Sequence, residues 1–430
     1  MASSKTPSIH LNLNVRGLKQ SATLRINEES NNLLRSGHRV FKLGLGQSPF
    51  PVPTPVVDEL KVNAHQKDYL PVMGLRELRG AVADFHNRTQ HERFSPDGVM
   101  IGPGSKELMF ILQLVYYGDL VIPTPSWVSY APQAHIVGRH IRWLPTSVDD
   151  GWRLTPERLH KLCSDDPDRP RLFILNYPSN PTGMTYKAEE LRAIATTARK
   201  YRVLFLSDEI YGELHHRGQH ISIGRYYPEG TIISSGLSKW CGAGGWRLGT
   251  FTFPEELNWL KDAMGVVASE TYTSTSAPIQ YAAVRAFQSD IVIEEYLWNI
   301  RRILRRLGRV LAQRLSDAGV RISEPQGGFY LFPDFSPFRE DLKERGIETS
   351  EEFCRRLLKE TGVAALPGSD FGHSEDALTV RLAYVDFDGT RALVAAEQIP
   401  PQKSLDDGFL EMYCHNCLEG IDRICNWIQG

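Results

Sequence analysis

Residues 171–183 read RLFILNYPSNPTG, an apolar run that stops abruptly in a cluster of Asn, Pro and Gly. Four consecutive apolar residues leave no polar face, so this segment is expected to be a strand covered on both sides. The Pro, Asn and Gly that follow are turn formers and end it. Downstream, KAEELRAIATTARKY (187–201) has helical spacing, and RVLFLSDEIYGEL (202–214) and GTIISSGLSK (230–239) repeat the strand-and-turn pattern. Upstream, VMIGPGSK (99–106) runs into the helical ELMFILQLVYY (107–117), and DLVIPTPSW (119–127) runs into a turn. Strands that are apolar throughout and alternate with helices predict an α/β unit whose parallel sheet is packed between helices.

The texture changes after about residue 290. EEYLWNIRRILRRLGRVLAQRLSDAG (294–319) predicts a long basic helix, followed by RISEPQGGFYLFPDF (321–335) and a further helix and strand, which reads as a second, α+β unit. The arginines at 301–309 lie largely opposite a stripe of Leu304, Leu307, Val310 and Leu311 and read as a solvated helix face. Near the end, Phe409, Met412, Tyr413, Leu418, Ile421, Ile424 and Ile428 recur at the spacing of one packed terminal helix. Cys414 and Cys417 have metal-ligand spacing, but no second pair completes four ligands, so no metal is expected. The six cysteines are expected to be free thiols.

Composition narrows the function classes. Lys and Arg number 49 against 51 Asp and Glu in 430 residues, a formal net charge of -2, so nothing announces nucleic acid or an anionic membrane as partner. No apolar run reaches the ~18–20 residues of a membrane helix, and MASSKTPSIHLNLNVRG has no signal-peptide core. The first acidic residue is Glu28, which leaves an organelle transit peptide disfavoured only. A cytoplasmic protein acting on small molecules is expected.

In an open parallel sheet, ligands bind beyond the carboxyl ends of the strands. The residues delivered there are Gly104, Ser105 and Lys106; Trp127; Asn180; Asp208 and Tyr211; and Lys239 with Arg247. A Gly-Ser-Lys turn opening a helix aims backbone N–H groups at an anion, which suits a phosphate, and Arg247 could grip the same group bidentately. Trp127 could stack on a heteroaromatic ring. Asp208 could keep a ring nitrogen protonated, with Asn180 and Tyr211 on a phenolic oxygen. Lys239, its pKa lowered among other cations, could form a Schiff base with an aldehyde. A phosphate, a protonatable ring, a phenolate and an aldehyde together describe pyridoxal phosphate.

Several segments together resemble the class I/II aminotransferases of fold type I over nearly the whole chain: LGLGQSPF, DYLPVMGLRELR, GPGSKEL, PTPSW, NYPSNPTG, SDEIY, SKWCGAGGWRLG, GGFYLF, and LPGSDFG followed by VRLAY. The resemblance implies a mixed, mostly parallel sheet in a large cofactor-binding domain at 45–290. It implies a small α+β domain from 1–44 and 291–430. Lys239 resembles the family's Schiff-base lysine, Asp208 the partner of the pyridine nitrogen, Tyr211 and Asn180 the partners of the ring oxygen, and Trp127 the stacking aromatic. Gly104, Ser105, Lys106 and Arg247 resemble the phosphate cup, with Tyr69 reaching in from a second subunit of a homodimer with shared active sites. Arg381 resembles the arginine that grips the substrate α-carboxylate, and Gly46 lies in the substrate-contacting entry loop. Where many relatives carry a phosphate-binding serine three residues before the lysine, this chain has Gly236, so that contact falls to Ser238 or to the backbone.

The activity implied is transfer of an amino group between an amino acid, aspartate or glutamate, and a 2-oxo acid. A lysine at the position of Lys106 pairs in one branch of the family with a distal carboxylate; alternatively, Lys106 only adds to the positive field around the phosphate. The same scaffold also serves C–S lyases, cyclopropane-forming synthases and decarboxylases. A regulator that only senses pyridoxal phosphate would need a DNA-binding module ahead of the domain, for which the sequence leaves no room. A dinucleotide binder is disfavoured, because neither LGLGQSP nor CGAGGW completes G-x-G-x-x-G between a strand and a helix.

Overall fold

The computed structural model describes residues 10–18, 20, 22–90, 93–288 and 290–430. Its centre is a seven-stranded sheet of β1 (Val99–Gly102), β2 (Asp119–Thr124), β3 (Ile141–Pro145), β4 (Arg171–Asn176), β5 (Leu204–Asp208), β6 (Thr231–Gly236) and β7 (Gly249–Thr252), in the order β1-β7-β6-β5-β4-β2-β3. Neighbours are parallel from β6 through β5, β4 and β2 to β3, whereas β7 runs antiparallel to both β6 and β1. The sheet is thus mixed and mostly parallel, as the resemblance implies.

The continuously apolar strands divide their side chains between two layers. Leu120, Ile122, Leu172, Ile174, Leu206 and Ile232 join Leu108 and Leu112 of the helix Ser105–Val115 on one face. Val121, Phe173, Leu175 and Phe205 join Leu191, Ile194, Ala195 and Ala198 of the helix Ala188–Lys200 on the other. A period of two therefore operates inside runs with no polar residue, because each strand is sandwiched. Burying each such Leu or Ile contributes about 1.5–3 kcal/mol before the entropy cost.

The remaining strands are short. Tyr330–Leu331, Val380–Ala383 and Leu366–Pro367 form a small antiparallel sheet, and Phe41–Lys42 pairs in parallel with Val363–Ala364. The helix Ile291–Asp317, about 40 Å long at 1.5 Å per residue, connects these to the large sheet. Near its start Tyr296 Oη donates to the carbonyls of Trp240 (3.0 Å) and Pro51 (3.1 Å). Further along, its stripe of Leu304, Leu307 and Leu311 is buried as expected, while Val310 is half-buried. The terminal apolar pattern is divided between two helices, Asp407–Tyr413 and His415–Gln429, because Cys414 at φ -123° interrupts the helical backbone. All six cysteines are free. Among the described residues no helix is long and apolar enough to cross a membrane, and no group of three His, Cys, Asp or Glu is placed to hold a metal ion.

Three glycines stand side by side where β1 and β6 end and the antiparallel β7 begins: Gly102 pairs with Gly249, and Gly249 with Gly236. They let the turn before the helix Ser105–Val115 settle onto the sheet. A Cβ on Gly249 would overlap the Ser105 amide, one on Gly102 would stand 2.6 Å from the Leu108 side chain, and one on Gly236 2.7 Å from the Leu248 carbonyl. The last contact is the physical reason a serine does not fit at 236.

Two identical substitutions are expected to have opposite signs. Gly249→Ala must push the helix off the sheet and should cost about 1–3 kcal/mol. Gly80→Ala, in the helix Arg76–Gln90 with nothing within 4 Å of the added carbon, should stabilise by about 0.5–1 kcal/mol. Urea denaturation midpoints check both; a neutral Gly249→Ala would contradict the packing argument.

Candidate active site

The carboxyl ends of β4, β5 and β6 place Asn176, Asp208 and Ser234 in register across the sheet. Above them opens a cleft of about 520 Å³. Of the residues singled out from the sequence, Gly46, Ser105, Lys106, Trp127, Asn180, Asp208, Tyr211, Ser238, Lys239, Arg247 and Arg381 line it. Gly104 frames the turn beneath Arg247, and Tyr69 projects away, 89% exposed.

Asp208 is buried at the floor. Burial raises its carboxyl to about 6, against hydrogen bonds donated by Tyr130 Oη (2.5 Å), the Ile210 amide (3.4 Å) and Ser234 Oγ (3.5 Å). Asn176 Nδ2 donates to the Asp208 carbonyl, while its Oδ1 accepts from the Asn180 amide, both at 2.8 Å. Asn176 therefore fixes the turn that carries Asn180 relative to the strand that carries Asp208.

Lys239 lies three residues beyond Gly236, the last residue of β6. Its Nζ donates to the Gly46 carbonyl (2.8 Å) and faces the Tyr211 ring at 5.6 Å and the Phe329 ring at 6.0 Å. Desolvation, and then the charge of Arg381, lower its ammonium to about 8, with Asp208 acting in the opposite direction. A lysine so placed is a neutral amine near neutral pH far more often than an ordinary exposed lysine.

The phosphate-sized end of the cleft is built from backbone. Gly104, at φ +96°, precedes the helix Ser105–Val115 and has no side chain to cap it; the Glu107 amide bonds back to the Gly104 carbonyl (3.1 Å), and the Ser105 and Lys106 N–H groups are left for an outside acceptor. Arg247 crosses this turn in a left-handed conformation (φ 57°, ψ 55°), a strained backbone of the kind found at ligand sites. It donates to the Gly244 (2.9 Å) and Pro103 (3.4 Å) carbonyls, and a Cβ on Gly104 would collide with its guanidinium. Lys106 Nζ sits 5.2 Å over the Trp127 ring, and burial followed by the charge of Arg247 lowers its pKa.

The small sheet supplies the opposite wall. Arg381 on Val380–Ala383 is buried; its guanidinium donates to the Gly44 carbonyl and to Asn180 Oδ1 (3.4 Å), and its Nε has no partner. Adjacent Tyr330 shares a 2.7 Å hydrogen bond between hydroxyls with Tyr211 and fills the space a Cβ on Gly46 would take. Burial, then Tyr330, holds the Tyr211 phenol well above its ordinary pKa.

Three residues that line or brace the cleft were not assigned a role from the sequence: Tyr130, Asn176 and Tyr330. Asn176 and Tyr330 lie within quoted motifs, and Asn176 opposite Asp208 was readable as a strand-end pair. Tyr130 follows Trp127 by three residues, but only the helix Tyr130–Ile136 that it opens turns its hydroxyl toward Asp208.

Comparison with known proteins gives one consistent family. Residues 38–396 match the model described as aminotransferase class I and II. An aspartate aminotransferase of Bacillus subtilis (strain 168) is 32% identical over 380 residues, 86% of this chain and 93% of that protein. An aspartate/prephenate aminotransferase of Thermus thermophilus is also 32% identical, over 87% of this chain and 94% of its own length. Among solved structures, the Thermus thermophilus aspartate aminotransferase with maleate superposes with a TM-score of 0.82 at 27% identity, covering 97% of this chain and 100% of that one.

The electrostatics make a measurable prediction. In cofactor-free protein, labelling of Lys239 by trinitrobenzenesulfonate, followed by peptide mass spectrometry, should have its pH midpoint at about 8. Arg381→Gln removes a neighbouring cation and should move that midpoint upward. A midpoint near the ordinary lysine value of about 10.4, or no upward move in the variant, would contradict the reading.

Proposed function

We propose, from the premise that the chain belongs to the aminotransferase class I and II family, that its preferred substrates are dicarboxylic, with aspartate or glutamate as amino donor and oxaloacetate or 2-oxoglutarate as acceptor. The protein is a pyridoxal-phosphate-dependent aminotransferase acting on an amino acid and a 2-oxo acid. The observation that carries the substrate proposal is that two cations from different parts of the fold line the cleft, Arg381 from the small sheet and Lys106 from the first turn of the helix Ser105–Val115.

The residues present fit the cofactor. The glycine-lined seat of Gly102, Gly249 and Gly236 leaves the uncapped N-terminus of the helix Ser105–Val115 open to a phosphate. When bound, pyridoxal phosphate supplies an aldehyde for amines and a protonated ring that withdraws electrons from the substrate α-carbon.

In this reading the backbone of Gly104, Ser105 and Lys106, with Ser238 and Arg247, holds the phosphate. Trp127 covers the ring face, and Asn180 and Tyr211 donate to the ring oxygen. Asp208 holds a proton on the ring nitrogen, with the Tyr130 hydroxyl keeping its carboxylate ionised and oriented. Arg381 binds the α-carboxylate bidentately; its partnerless Nε and its carbonyl partners leave that charge for a substrate to neutralise. With the carboxylate anchored beside the Gly46 loop, Lys239 Nζ is the base that takes the proton from the substrate α-carbon. Lys106 Nζ, beside Trp127, pairs with the distal carboxylate. Relatives named aspartate aminotransferase and aspartate/prephenate aminotransferase support the dicarboxylic substrate.

Two variants test this together. Lys239→Ala should abolish turnover while the fold persists, and borohydride should attach cofactor to the Lys239 peptide of the unaltered protein only. Lys106→Ala should lower kcat/KM for acidic substrates by about one to two orders of magnitude, the loss of one charge-assisted pair, and leave aromatic donors nearly unchanged. Equal losses for acidic and aromatic donors would assign Lys106 to the phosphate instead.

We further propose a cytoplasmic homodimer in which Tyr69, fully outside its own cleft, reaches the cleft of the second copy. Light scattering should give a dimer, and Tyr69→Phe should weaken cofactor binding. A fully active monomer would exclude the shared site.

A further inference from the structure

The arginine run read from sequence as a solvated face has a different setting in the fold. Arg301, Arg302, Arg305, Arg306 and Arg309 share one side of the helix Ile291–Asp317, whose other side buries Ile300, Ile303 and Leu304. Residues 216–218 and 401–405 stand beside that face, and together they enclose a groove of about 770 Å³. Arg217 and Lys403 add their cations from these segments, and no Asp or Glu lines the groove. It shares no lining residue with the active-site cleft.

The charge there is not balanced internally. Arg301 pairs with Glu213 (2.6 Å), Arg306 with Asp407 (2.5 Å) and Arg309, at 3.9 Å, with Glu324. Arg302 is spent on the carbonyls of Ile399 (3.0 Å) and Lys403 (3.5 Å) and stacks on the Trp298 ring at 4.5 Å. Arg217, Arg305 and Lys403 are exposed, and among the described residues none has a carboxylate within ion-pair distance. Arg301, Arg305 and Arg309 follow one another at single-turn intervals, where like charges repel. In a chain of net charge -2, Arg217, Arg305 and Lys403 are left as unpaired cations along one groove, available to an anion from outside.

We propose that this groove is a second ligand site, separate from the catalytic cleft, for a small phosphorylated anion carrying two or more negative charges. Guanidinium forks match phosphoryl oxygens in pairs. The volume lies within the ~300–1,000 Å³ of small-molecule sites. The wall formed by 401–405 and the chain's net charge of -2 favour a compact anion over a nucleic-acid strand.

Calorimetric titration of the holoenzyme, whose cofactor already fills the catalytic phosphate subsite, tests this with pyrophosphate, ADP and orthophosphate. Pyrophosphate and ADP should bind at one per chain, more tightly than orthophosphate. Arg305→Glu should weaken pyrophosphate by about tenfold or more and Arg305→Gln by less, as expected for loss of a charge-assisted contact, with transaminase kinetics unchanged in both. Binding to Arg305→Glu equal to that of the unaltered enzyme, or no binding of pyrophosphate at all, would overturn the proposal. So would a short RNA oligomer that binds more tightly than pyrophosphate through Arg305, since the groove would then serve a polymer.

Discussion

The rest of the cleft is arranged around a carboxylate kept from water. Asp208 sits at the end of a central strand, where desolvation alone would drive it to the neutral acid. Tyr130, Ser234 and the Ile210 amide each donate a hydrogen bond to it, and each comes from a different place in the chain. The strand register that brings Asn176 and Ser234 beside it is fixed by apolar layers on both faces of the sheet, since a slip of one residue would exchange those layers. Core packing and site chemistry are therefore one constraint: the sandwich that makes the strands apolar also makes the carboxylate dry.

Around that point the two sheets divide the work. The large sheet brings Lys239, Arg247 and the Ser105 helix to one rim, and it does so through close backbone approach, which only glycine permits at 102, 249 and 236. The small sheet brings Arg381 and Tyr330 to the other rim, locked to the first by Gly44, Gly46 and Asn180. Burial first, and then the cations that converge from both sides, lower the lysine between them to about 8. Burial raises the acid on the floor to about 6 and lowers the amine above it to about 8, so desolvation acts on both toward the neutral form.

The basic groove along the long helix shows how context changes the meaning of a pattern. Its arginines have the spacing of an ordinary solvated face, and in an isolated helix they would be one. Enclosure by 216–218 and 401–405, segments about 80 residues before and 100 after the run, converts separate surface charges into a shared field.

The sequence by itself determined the class of fold and most of the cleft. Uninterrupted apolar runs followed by Asn, Gly and Pro, alternating with helical patterns, read as sandwiched strands ending in turns, and residues at such turns meet because parallel strands end at one edge. That is how Lys239, Asp208, Asn180 and Arg247 were legible together. Tertiary structure alone decided what reaches the cleft from elsewhere or from an unmarked turn: Tyr330 on the small sheet, Tyr130 rotated onto Asp208, and the break at Cys414 that divides one apolar pattern between two helices. These depend on side-chain direction and on contacts between segments distant in the chain, and local periodicity carries no information about either.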